Sequence, residues 1–253
     1  MSSIGPLFRA ERIKLRKSWA MLAAVLAPIC QTAFLGLVFW FSGTRVQPFK
    51  PGFRFWLELN CLAWNLVVMP AAAALVCELS WDQEREARAW NLLLVHPVSR
   101  RAHYLVKFLG HLSLLLLAQV LLISMLVLVG GLLSLAPELL MGKLPLALLF
   151  RFAAYSVLAL VAVTAFQTWL AMHFPGLWIA LAAAMAGSWL TAHWAGGSAL
   201  IQFLPWGLAG QLTTVFDRWR PLHWGYAPGS LVAAVVLLLL GVADWVHHCE
   251  TGA

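Results

Sequence analysis

Long stretches without a charged side chain are the feature that most limits what this chain can fold into. Residues 18–44, 59–77, 108–137, 152–216 and 221–243 contain no Lys, Arg, Asp or Glu. A helix needs about 20 mostly apolar residues to cross the hydrocarbon core of a bilayer. These stretches are continuous and rich in Leu, Ala and Val, whereas the strands of a membrane barrel alternate apolar and polar residues. The sequence therefore predicts an all-α polytopic membrane protein.

Six transmembrane helices are predicted from these stretches. Pro175 and Gly176 divide the longest stretch, because Pro and Gly mark a turn between apolar helices. The first apolar run is too long for a signal-peptide core and no small-residue cleavage site follows it, so it counts as a span. The predicted spans are 18–41, 57–79, 107–134, 150–173, 177–195 and 229–247.

The distribution of Lys and Arg predicts the orientation. The N-terminal segment and the loop 78–107 carry ten of the 17 basic residues, in two clusters, and the alternate loops share the other seven. Because cytoplasmic loops are enriched in Lys and Arg, both termini and the 78–107 loop are expected in the cytoplasm. The net charge of +7 then reflects topology and attraction to anionic membrane lipids, and does not indicate nucleic-acid binding.

The N-terminal segment 1–17 has the pattern of a basic amphipathic helix. Ile4, Leu7, Phe8 and Leu15 fall close to one helical side, and the Arg residues fall elsewhere. Such a helix typically lies in the membrane interface before the chain enters the bilayer, which predicts an N-terminal interfacial helix. The alternative is a plain positively charged anchor for the first span.

The polar segment 78–107 lies between the second and third spans, where a membrane protein can meet a soluble partner. Acidic residues precede apolar residues at helical spacing, which predicts a short helix over Asp82–Val95. Pro97 ends that helix, and Ser99 is a plausible N-cap for the next one. The alternative is an ordinary loop whose Arg100 and Arg101 only enforce topology.

The residues of this segment resemble a family pattern. The shared residues are Glu84, Glu86, Trp90-Asn-Leu-Leu-Leu, Pro97-Val-Ser99-Arg100, Tyr104 and Lys107. The pattern resembles that of ABC-2 type transporter permeases, closest to the branch associated with lantibiotic and bacitracin-type peptide export and self-immunity. The resemblance implies that the loop 80–100 holds a coupling helix that seats in a groove of an ATPase subunit. The residues implied in ATPase coupling are Glu84, Glu86, Arg88, Trp90, Leu93, Pro97, Ser99 and Arg100.

The sequence contains no G-x-x-x-x-G-K-[ST] motif and thus no phosphate-binding loop of that kind. The resemblance implies a permease subunit that is not itself an enzyme and binds no cofactor, with ATP and Mg held by two separate ABC ATPase subunits. A second permease copy or paralogue is implied, because such exporters usually assemble twelve spans. The implied complex is an exporter of an amphipathic peptide in a bacterial inner (plasma) membrane.

Segment 196–228 is unusual for a loop between the fifth and sixth spans. It contains a short apolar stretch that Pro205 and Gly207 interrupt. This pattern predicts a re-entrant outer segment, since the stretch is too short to span the membrane. The alternative is a seventh span over 196–216, which would place the C-terminus outside.

Polar and aromatic residues inside the predicted spans are candidates for a substrate path, because they are costly there. The alternative for the amides is hydrogen bonding between helices. His111, His173 and His193 lie at unmatched depths, which argues against haem and, without a Cys/His cluster, against a metal site. The alternatives from a different class are a membrane enzyme, which should show titratable residues converging at one depth, and a membrane scaffold, which needs no ATPase, so that co-purification with an ATPase separates it from a transporter. The path candidates are Glu58, Asn60, Trp64, Asn65, Gln167 and Trp169.

Overall fold

The chain folds into a bundle of helices in the computed structural model. The structure describes residues 4–43, 52–87, 99–136, 139–194, 201, 203–209 and 227–251. We number the α-helices α1 to α8 in chain order. They are α1 (Ile4–Leu15), α2 (Trp19–Gly43), α3 (Phe53–Ala63), α4 (Met69–Glu86), α5 (Arg100–Ser134), α6 (Leu146–His173), α7 (Leu177–Trp194) and α8 (Ala227–Thr251).

Among the described residues, five helical segments are long and apolar enough to cross a membrane. They are Trp19–Phe41, Phe53–Glu86, Arg100–Ser134, Leu146–His173 and Ala227–His247. Helix α7 is also apolar, but its 18 residues give only about 27 Å at 1.5 Å per residue. The chain is therefore a multi-pass membrane protein, and the predicted fifth span, 177–195, stays a prediction.

The second span is one helical segment with a wider turn in its middle. A π-helix over Trp64–Val68 joins α3 to α4, and Pro70 follows at the start of α4. Proline has no N–H and its ring clashes with the carbonyl four residues earlier, so an ordinary α-helix cannot pass it unchanged. The π-turn widens the helix at this point and lets it continue.

Helix α4 is the centre of the bundle and packs against α2, α5, α6 and α7. Ala72 and Ala73 are buried in the main apolar core, and Ala74 packs with Ala180 and Ala184 of α7. Small side chains let membrane helices approach closely and gain van der Waals contact. The alanine-rich face of α4 therefore packs against other helices of the same chain.

A short irregular segment after α7 folds back onto the bundle. Its Trp206 ring packs edge-on against Phe166 at 4.8 Å between centroids, and any Cβ at Gly187 would collide with that ring. Ile201 and Leu208 of the same segment are buried. Of the predicted re-entrant segment 196–228, the structure describes 201, 203–209 and the first two residues of α8, 227–228, so its placement in the membrane stays a prediction.

Candidate functional site at the charged end of the bundle

Lys107 of α5 is buried at the end of the bundle where α4 ends and α5 begins. We call this end the charged end. The Lys107 amine is 2.9 Å from a Glu84 carboxylate oxygen and 3.4 Å from Glu11. It also donates to the hydroxyl and carbonyl of Ser80, at 3.0 and 3.1 Å, and lies 4.9 Å from the centre of the Trp81 ring. A buried charge is tolerated only when it is paired and hydrogen-bonded, as this amine is.

Glu84 of α4 receives a second cation from the N-terminal helix. Lys14 of α1 donates to Glu84 at 2.6 Å and lies 3.9 Å from Glu11. The imidazole of His103 on α5 is 3.7 Å from the other Glu84 oxygen. Two carboxylates and two amines therefore balance in one buried cluster. We call this cluster the Lys107 network; its members are Glu11, Lys14, Ser80, Glu84, His103 and Lys107.

The Lys107 network fixes α1 against the bundle. Leu15 of α1 is buried, Leu7 and Phe8 are half-buried, and α1 packs on α5. A Cβ at Gly110 of α5 would lie 3.0 Å from Leu15, so glycine permits this close approach. The sequence correctly groups the apolar residues of α1 on one side, but that side faces α5. Placement of 1–17 in the membrane interface stays a prediction.

Arg85 of α4 holds the turn between α6 and α7. It contacts Glu78 and Asp82 at 2.5 Å and donates to the carbonyl of Ala171, near the end of α6, at 2.8 Å. The Glu78 carboxylate also accepts the backbone N–H of Gly176 at 2.8 Å. Gly176 has φ +136°, a conformation that other residues rarely adopt. Glu78 and Arg85 thus tie the end of α4 to the α6–α7 turn.

A third contact joins α6 to α8 at the same end. Asp244 of α8 accepts from the Trp169 indole at 3.0 Å and pairs with His173 at 2.8 Å. Tyr104 of α5 fits against Gly241 of α8, where any Cβ would collide with its ring. The polar end of α4 is therefore the hub of contacts that reach α1, α5, α6 and, through these, α8.

The predicted coupling residues divide between this hub and its surroundings. Glu84 is buried and paired inside the Lys107 network, whereas Glu86 is exposed two residues later. Helix α4 runs unbroken to Glu86, so the start of the predicted helix Asp82–Val95 is the end of the second span. Helix α4 continues beyond its apolar part because charged residues in its last turns, such as Glu84, pair with residues of other helices. The predicted coupling residues Arg88, Trp90, Leu93 and Pro97 lie outside the described residues.

Ser99 and Arg100 mark the start of α5. Ser99 is in the N-cap position with an extended backbone, and its side chain makes no capping hydrogen bond. The prediction that a helix starts after Ser99 is confirmed, and the predicted start of the third span at residue 107 is two turns too late. Ser99 is exposed and Arg100 is half-buried.

Four of the predicted path residues are fully buried in the chain. The Trp64 indole donates to Gln119 at 2.8 Å, and Ser156 donates to Gln119 at 3.0 Å and to Asn65 at 3.1 Å. Asn60 donates to the carbonyl of Trp56 within its own helix. The contacts of Gln119 and Ser156 join the π-turn, α5 and α6, which is the helix-to-helix hydrogen bonding that the sequence left as the alternative, whereas the Asn60 side chain bonds within α3.

The other path candidates lie apart from that network. Gln167 is buried on α6, its amide 3.5 Å from the carbonyl of Ala180. Glu58 is half-buried and pairs with Arg54 at 2.6 Å, near the opposite end of the bundle. Trp169 belongs to the Asp244 contact at the charged end. The six candidates therefore do not line one continuous surface of this chain.

Sequence reasoning overlooked Glu11, Lys14, Glu78 and Arg85 as site residues. Glu11 is the only acid among the basic residues of the N-terminal segment, and Glu78 directly follows an apolar run. An isolated charge of opposite sign at the edge of a span was the available signal. It identifies a residue in need of a partner, but it does not identify the partner.

The fold and this site define a class: a multi-pass helical membrane protein whose second and third spans are joined by a polar segment with an ion-paired base. The family model described as ABC-2 family transporter protein matches residues 7–190, which is more than half of this chain. The chain therefore belongs to the ABC-2 transporter family. The match runs from within α1 through most of α7 and includes the whole charged segment. No curated protein matches the chain significantly. Permeases of this family are membrane components of ABC transporters and normally work with an ABC ATPase.

Proposed function

We propose that the chain is the transmembrane permease subunit of an ATP-driven ABC exporter, with ATP hydrolysed by two separate ATPase subunits that bind ATP and Mg. The observation that carries the proposal is the family match over residues 7–190. The absence of a G-x-x-x-x-G-K-[ST] motif from the sequence agrees with nucleotide binding on another chain.

The ATPase docks, in this proposal, on the segment between α4 and α5. Its contact residues are Glu86, Arg88, Trp90, Leu93, Pro97, Ser99 and Arg100. Glu84 has a different part, because its carboxylate is buried between Lys14 and Lys107 and has little surface to offer a partner. We assign it to holding the base of the segment in place.

The ion-paired contacts give a route for movement from this segment into the bundle. A displacement of the α4 end pulls on α1 and α5 through Glu84 and Lys107, and on the α6–α7 turn through Glu78 and Arg85. Packed, ion-paired elements move as units because cores are not continuously deformable. Nucleotide-driven closure of the ATPases would therefore rock several helices together.

The transport path, in our proposal, runs between two permease chains, either two copies or a copy and a paralogue. Each chain supplies six spans, with α7 as the fifth and both termini in the cytoplasm of a bacterial inner membrane. Asn60, Trp64, Asn65 and Gln167 are fully buried, so they reach such a path only if helices rearrange. Glu58 and Trp169 are half-buried and need smaller movements.

The substrate class that we propose is an amphipathic peptide moved out of the membrane or cytoplasm. Its support is the resemblance of the segment Glu84–Lys107 to the lantibiotic and bacitracin-type export and immunity branch. The test of direction is accumulation of a fluorescent cationic amphipathic peptide in vesicles with the ATPase site outside. ATP-dependent uptake into such vesicles is the expected result, and ATP-dependent depletion from them would contradict export.

The docking proposal is tested by purifying the permease with the ATPase encoded beside it and measuring ATP hydrolysis. Trp90→Asp or Leu93→Asp should abolish co-purification and the permease-stimulated part of ATP turnover, because a carboxylate replaces the apolar contact. The matched control is Trp40→Asp, because Trp40 is exposed near the C-terminal end of α2, away from the charged end of the bundle. Normal stimulation in both loop variants would refute the docking site, and absence of any ATPase from the complex would favour a scaffold.

A further inference from the structure

Helix α1 separates its charges between two sides. Glu11 and Lys14 point into the Lys107 network, whereas Arg9, Arg12 and Arg16 are exposed. These three arginines make no ion pair with another described residue. Because the apolar side of α1 is occupied by α5, the opposite side is held outward with a fixed row of cations.

The same outward side carries apolar groups. Ile13 follows Arg9 by four residues and precedes Arg16 by three, which places the three on one helical face. Ile13 is 62% exposed, and Trp19, the first residue of α2, is 70% exposed. A row of arginines beside an exposed Ile and Trp suits a surface that offers both anions and hydrocarbon.

We propose that the outward face of α1, formed by Arg9, Arg12, Ile13, Arg16 and Trp19, binds the headgroups of anionic phospholipids. The proposal does not depend on what the protein transports. Each arginine can pair with a phosphate in a bidentate geometry. Ile13 and the indole of Trp19 then lie at the boundary between headgroups and acyl chains, where amphipathic rings are enriched.

A lipid surface fits this face better than a soluble protein does. The entry into α2 at Trp19 keeps the face at the level where the chain enters the membrane. Exposed apolar side chains continue from Trp19 along one face of α2 to Leu22 and Leu26, since these positions recur at helical spacing. The cationic face is thus continuous with a surface that faces lipid tails.

The experiment titrates the full-length protein, in neutral detergent, with phosphatidylglycerol or phosphatidylcholine and counts bound lipid by native mass spectrometry. The tested variant is Arg9→Gln/Arg16→Gln. Each basic residue near a membrane surface contributes about fivefold to binding of anionic lipid, so two removed charges weaken phosphatidylglycerol binding about 30-fold. Binding of phosphatidylcholine should not change, and added salt should weaken only the wild-type preference.

Two further variants make the outcome decisive. Lys143→Gln/Arg151→Gln removes two exposed cations at the opposite end of the bundle and should leave the tightest phosphatidylglycerol site intact. Arg9→Lys/Arg16→Lys keeps the charge and should retain most of the binding. Unchanged phosphatidylglycerol affinity in Arg9→Gln/Arg16→Gln overturns the proposal. Loss of ATPase co-purification with unchanged lipid affinity also overturns it, and would identify the face as a protein contact.

Discussion

Replacing Lys107 by Met should destabilise the protein far more than breaking an exposed ion pair at the other end of the bundle. Met keeps the length of the side chain and its contact with Trp81, but it removes the amine that neutralises Glu84 and Glu11. The lysine side chain is 0% exposed and that of Glu84 is 8% exposed. Removal of one partner of a buried pair costs about 3–5 kcal/mol, because the remaining charge stays buried without compensation.

The double variant Glu84→Gln/Lys107→Met tests that reason. Glu11 and Lys14 then keep one charge of each sign, so the cluster is balanced again. The double variant should be more stable than the sum of the single changes predicts, with an interaction energy of about 1–3 kcal/mol. The control is Arg54→Met, whose partner Glu58 is at 2.6 Å but whose own side chain is 54% exposed. That exposed pair should contribute at most about 1 kcal/mol.

The assay is unfolding of the purified protein in mixed micelles of increasing denaturing-detergent content, followed by circular dichroism. The free energies of unfolding of the wild type, both single variants and the double variant form a double-mutant cycle. The reasoning is refuted if Lys107→Met costs no more than Arg54→Met. It is also refuted if the effects of the Glu84 and Lys107 changes are additive.

Three other changes test separate parts of the structure. Gly176→Ala should lower the free energy of unfolding by about 1–3 kcal/mol, because φ is +136°; Gly131→Ala, in open space within α5, is the control and should not. Gln119→Leu removes the shared acceptor between α5, the π-turn and α6, and should cost about 1 kcal/mol in the same measurement; an unchanged stability would contradict that role. A cysteine placed at Arg218 should be labelled by an impermeant reagent from outside, whereas the native Cys249 should not; labelling of Cys249 would favour seven spans.

The hydropathy of the sequence predicted the apolar parts of the helices well, but not where the helices end. The first predicted span, 18–41, nearly coincides with α2, whereas the second, 57–79, is shorter at both ends than the helical segment Phe53–Glu86. Hydropathy reports which residues avoid water. The last turns of α4 are polar and persist because they have partners elsewhere in the bundle: Glu84 pairs with Lys107 of α5, Arg85 donates to Ala171 of α6, and Glu78 accepts from Gly176 in the α6–α7 turn.

The role of Glu84 shows the limit of motif-based assignment. Its position in the family-like pattern predicts a coupling residue, and the structure places its carboxylate inside the Lys107 network. The pattern does not distinguish an exposed docking residue from a buried residue that holds the loop. Side-chain burial separates Glu84 from the exposed Glu86, although the two are only two residues apart.

The sequence by itself determined that this is a helical membrane protein, because uncharged stretches of this length and composition are stable in lipid only as helices. It also determined the amphipathic sides of α1, since those follow from helical spacing. Only the tertiary structure decided which charges meet: Lys14 and Glu84 are 70 positions apart, and Lys107 reaches back 96 positions to Glu11. Periodicity fixes the face on which a residue lies, whereas its partner depends on how the helices pack, which no local pattern encodes.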